Sequence, residues 1–95
     1  MSNGGTSDPT VAISPDVSGQ QASQQLETTN QLLVKTGENL KIVESRQLNP
    51  GQQETVKQIR TYMDQSKAAT NDGDVQRAYT LANKARMLSA DLVKH

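Results

Sequence analysis

The stretch NDGDVQRAYTLANKARMLSADL, Asn71 to Leu92, constrains the fold of this chain most, because a Gly-centred turn there opens a helical run whose inward positions are small. Ala78, Ala82 and Ala85 are spaced four and three apart and so share one side of a helix. A helix with such a side can come close to a neighbour. In Asp72-Gly73-Asp74, Gly73 suits the left-handed residue that ends one helix and Asp74 suits the cap that begins the next. These residues predict an antiparallel helical hairpin whose second arm has Ala78, Leu81, Ala85, Leu88 and Leu92 as its inner seam.

The first arm has its own start signal. Asn49 fits an N-cap, Pro50 the first helical position, and Gln52 the place three residues on where a capping-box side chain belongs. Val56, Ile59, Met63 and Ser66 then recur at spacings of three and four, an apolar face that runs on to Ala69 and ends near Asn71 or Asp72.

Upstream, from Gln20 to about Gln47, Leu26, Leu33 and Leu40 recur every seven residues, with Ala22, Thr29, Thr36 and Val43 on the alternate heptad position. This predicts a long helix with a narrow stripe, widened unevenly by Leu32, Val34 and Ile42. Gly37 in its interior implies either a bend or a close backbone approach. Residues 1–20 hold five Gly and Pro residues among scattered Ser, Thr and Asp, and read as a disordered tail or linker. The expected fold is therefore all-α: a three-helix antiparallel bundle over residues 21–94, made of a long first helix and an Ala-rich hairpin.

Composition sets the limits. An apolar fraction of 33%, with no Phe or Trp, leaves a thin core of Leu, Val, Ile, Ala and Met, so docking onto a partner or self-association is a natural source of extra stability. All ten Lys and Arg lie between Lys35 and Lys94, and two of the ten acids, Asp8 and Asp16, lie in the leading segment, so the helical region carries about +2. Such a weak, dispersed charge, with only Tyr62 and Tyr79 to stack on bases, argues against nucleic acid. The C-terminal cations Lys84, Arg86 and Lys94 complement a helix dipole.

No run of about eighteen apolar residues is present to span a membrane. The opening MSNGGTSDPT has neither a basic n-region nor an apolar core, so no secretion signal is expected in it. Its Gly-rich character fits a segment cut from a longer protein. The address would then be an envelope or periplasm if a signal lies elsewhere, and the cytoplasm otherwise.

Catalytic and metal chemistry finds little purchase here. There is no Cys, which removes disulfides, thiolate metal sites and thiol nucleophiles. The single His is the last residue, His95, where chain ends fray. No Glu has a His three residues on, as a di-metal bundle needs. Ser23, Ser45, Ser66 and Ser89 have no histidine base to activate them. Asp72-Gly73-Asp74 is followed by Val75, Arg77 and Ala78 instead of further oxygen ligands, so it does not continue into a calcium loop. Neither an enzyme, a cofactor nor a metal is expected.

Gly73, Ala78 and Ala85 stand at the spacing of the turn Gly and two small packing residues of a tetratricopeptide repeat, which the hairpin's second arm resembles. The first arm departs from that motif, with Tyr62, Gln65, Ser66 and Thr70 where Trp, Leu, Gly and Tyr belong. More broadly, the half of the chain from RQLNPGQQETVKQIR through the GD turn to the LANKA helix is similar to C-terminal helical modules of bacterial envelope-associated proteins. That resemblance implies an accessory domain of a larger protein. The function expected is a non-enzymatic protein-interaction or scaffold module, with a self-associating helical element as the alternative. The face centred on Leu32, Val34 and Ile42 is expected to meet a protein partner or a second copy.

Overall fold

A computed structural model describes the backbone from Thr10 to His95 and side chains from Gly19 onward. Three helices account for nearly all of it: α1, Thr10–Glu44; α2, Pro50–Asn71; and α3, Val75–Lys94. The expected disordered tail over residues 1–20 lies almost wholly outside the residues described with their side chains. Gly19 and Gln20 already belong to α1 and are exposed.

Local chemistry sets the helix ends. At the start of α2, the Gln52 backbone N–H donates to Asn49 Oδ1 at 2.7 Å, and the Asn49 N–H donates to Gln52 Oε1 at 3.0 Å. This closes the capping box expected from the sequence, with Pro50 in the first turn. At its end, the Asp74 N–H reaches the Ala69 carbonyl at 2.8 Å and the Gly73 N–H reaches Thr70 at 3.0 Å. Gly73 has φ +80°, the left-handed conformation such a paired-bond ending requires. Asp74 then caps α3, its Oδ1 accepting from the Arg77 N–H at 3.2 Å.

Cross-helix contacts give the topology. Gln25 Nε2 donates to Gln76 Oε1 and Asn39 Nδ2 to Ser89 Oγ, both at 3.0 Å, a near-constant offset that makes α1 and α3 parallel. The Ser66 hydroxyl donates to the Ala78 carbonyl at 2.7 Å, and Lys84 lies over Tyr62, so α2 runs against α3. An ion pair between Glu44 and Arg60 joins α1 and α2 near the connecting loop. The result is the expected three-helix bundle, running up, down and up.

α3 packs closely along both of the other helices, which meet each other sparingly. The reason is its side-chain size. Ala78, Ala82, Ala85 and Ser89 are all fully buried and form one stripe at spacings of four, three and four. Against it, α1 buries the alternate heptad position: Thr29, Thr36 and Val43 are completely enclosed, while Leu26 and Leu33 are half-buried and only Leu40 of their series is interior. The leucine stripe that dominates the sequence is thus the flank of the seam and not its centre, because leucines at the centre would hold α1 away from the alanines. The Thr29 and Thr36 hydroxyls donate to the Gln25 and Leu32 carbonyls at 2.8 and 2.7 Å, which satisfies them without a partner on another helix.

Larger apolar side chains gather at one end. Leu40, Val43, Val56, Ile59, Ala85 and Leu92 form a continuous buried cluster beside the α1–α2 loop, with Leu48, Tyr62, Met63, Leu88 and Val93 around it. Toward the α2–α3 turn the interior passes to Ser66, Ala69, Ala78 and Ala82.

The close backbone approach that Gly37 suggested is not found: the glycine lies inside α1, and a Cβ added there would meet nothing within 4 Å. Gly37→Ala should therefore stabilise the domain by roughly 0.5–1 kcal/mol, through the lower backbone entropy of Ala in the unfolded chain. A rise in the urea midpoint at unchanged slope measures it. A fall would show that space at this position is needed.

Candidate interaction face

The side of α1 turned away from α2 and α3 carries the candidate site. At about 100° per residue, Val34 and Ile42 stand some 80° apart and both point outward, and they are 61% and 46% exposed. Leu32 stands nearly opposite Val34 and is half-buried beside the seam. The three residues expected to share a surface are therefore divided: Val34 and Ile42 lie on the open side, and Leu32 supports the interior. Two residues along a helix is more than half a turn, and that separates Leu32 from Val34.

A shallow hollow of about 380 Å³ surrounds Val34, lined by Glu27, Asn30, Gln31, Lys35 and Glu38. Its lining repeats one spacing twice. Glu27, Asn30, Gln31 and Val34 stand at i, i+3, i+4 and i+7, and Gln31, Val34, Lys35 and Glu38 stand so again. Four residues at that spacing form the hole into which a side chain of another helix inserts. The charges here lie in solvent. Lys35 Nζ and Glu38 Oε1 are 4.0 Å apart with both side chains about three-fifths exposed, a surface pair of little energetic weight.

A second apolar spot lies on the α2–α3 side. Met87 is 55% exposed at the edge of a hollow of about 230 Å³ shared with Tyr62, Lys84 and Leu88. The Lys84 ammonium sits 5.9 Å from the Tyr62 ring centroid, within reach of a cation–π attraction. The sequence did contain a signal for Met87, which stands two positions after the buried Ala85 and hence on the other side of α3. Asn39, buried and bonded to Ser89, was also readable, since it lies three residues after Thr36 and four before Val43.

The remaining residues singled out by sequence hold the scaffold together. Asn49 and Pro50 begin α2, Gly73 and Asp74 make the turn, and Ala78, Ala82 and Ala85 line the contacts of α3. His95 lies 3.7 Å from Asp91 at the exposed end of α3. Among the described residues no cluster of three or more His, Asp or Glu side chains is placed to hold a metal ion, and no helix is long and apolar enough to cross a membrane. No known family, curated protein or solved structure matches this chain.

Proposed function

We propose that the chain is a non-enzymatic protein-interaction or scaffold module that engages its partner through the outward side of α1. The observation that carries this reading is Val34, 61% exposed in the middle of α1 and shared by two overlapping four-residue holes. An apolar side chain in solvent at the centre of such a hollow gives a side chain of another helix a place to insert. The likeness of its second half to envelope-associated helical modules supports placing it as an accessory domain of a larger bacterial protein. A self-associating element is a second reading, favoured by the charge order along the same helix.

Photo-crosslinking in the source cell tests the proposal. A photoreactive phenylalanine analogue at Val34 should yield a discrete adduct to a protein, while the same group at exposed Gln53 on α2 should not. Equal labelling from both positions, or none from Val34, would refute it.

A further inference from the structure

We infer that the partner of the α1 face is a second copy of this chain, bound antiparallel with Val34 at the two-fold axis; this rests on the interaction reading above and names its partner. Glu27, Val34 and Lys41 are all exposed, seven residues apart, and so follow one stripe down the outward side of α1. The stripe has an acid at one end, a base at the other and an apolar residue midway. Antiparallel pairing about Val34 sets Glu27 of each copy against Lys41 of the other, twice, with valine meeting valine between them. Parallel pairing in register would set Glu27 on Glu27 and Lys41 on Lys41. The intervening positions agree with the antiparallel arrangement: Asn30 falls opposite Glu38 and Gln31 opposite Gly37, so like charges are never opposed. A two-fold interface must be complementary to itself, and this stripe is.

The hollow at Val34 fits the same geometry. Its two overlapping holes share Gln31 and Val34, and the valine of a second copy would enter there as a knob while its own holes receive the first. The leucine series Leu26, Leu33 and Leu40 offers no such surface, since it flanks or enters the interior of its own bundle.

Sedimentation velocity over a concentration series, with circular dichroism to verify folding, tests the inference on the intact chain. The unaltered protein should associate to a dimer. Glu27→Lys alone, or Lys41→Glu alone, replaces two attractions with two repulsions and should weaken the dimer about tenfold. Glu27→Lys combined with Lys41→Glu should restore it, and so should an equimolar mixture of the two single variants. Val34→Lys, which brings like charges together at the axis, should leave a folded monomer. The inference fails if the unaltered chain is monomeric at millimolar concentration, if both single reversals leave the dimer intact, or if the double reversal does not recover it. A monomer that still crosslinks a different protein from Val34 would overturn the second copy as partner and leave the interaction reading standing.

Discussion

Ile59→Ala should destabilise the domain by about 2–5 kcal/mol, the range for truncating a fully enclosed isoleucine where neighbours cannot collapse into the space. Ile59 has no exposed surface and is the largest of the completely buried side chains. It sits in the apolar cluster with Val43, Val56 and Leu92, where all three helices contribute. Small domains have only several kcal/mol in total, so the variant should be largely unfolded at moderate temperature. Urea titration followed by helical circular dichroism reads the change as a lowered midpoint. A loss under 1 kcal/mol would mean that the cluster is not the anchor of α2.

The second large effect runs in the other direction of volume. Ala85→Leu adds three carbons where nothing is exposed and α3 packs tightly along both neighbours. Overpacking of this kind costs about 1–3 kcal/mol, and the upper end is expected here because Leu40, Val43, Val56 and Ile59 occupy the adjoining space. Met87→Leu, two positions along and facing solvent, should stay within about 0.5 kcal/mol of the parent. Equal melting temperatures for all three proteins would remove the close-packing account of α3.

What the sequence made legible follows the range of each interaction. The caps at Asn49 and Asp74 and the turn at Gly73 are decided by atoms within five residues of one another, and the structure has them as read. The small-residue stripe of α3 was equally plain, because few other roles suit alanines at that spacing. α1 was less so. Two heptad series compete in it, and hydrophobicity alone favours the leucines. The choice of Thr29, Thr36 and Val43 as the centre depends on how near α3 can approach, which is settled by residues some fifty positions away. The same cause misplaced Leu32 relative to Val34 and Ile42: the outward side of a helix is known only once its inward side is. Asn39 lies on the inward side by its spacing to Thr36 and Val43, and Ser89 on another helix supplies the partner that allows an amide to be buried there.

The uneven filling of the bundle gives the two ends different lifetimes. Opening a segment costs what its buried apolar contacts are worth, and those are concentrated beside the α1–α2 loop, with alanine, serine and threonine at the α2–α3 turn. Amide protons around Ile59, Val43 and Leu92 should exchange only with global unfolding, while those flanking Gly73 exchange through partial opening of the hairpin tip. The molecule then behaves as a clamp closed at one end, in which the tip can part and reclose while the three helices stay gathered at their apolar base.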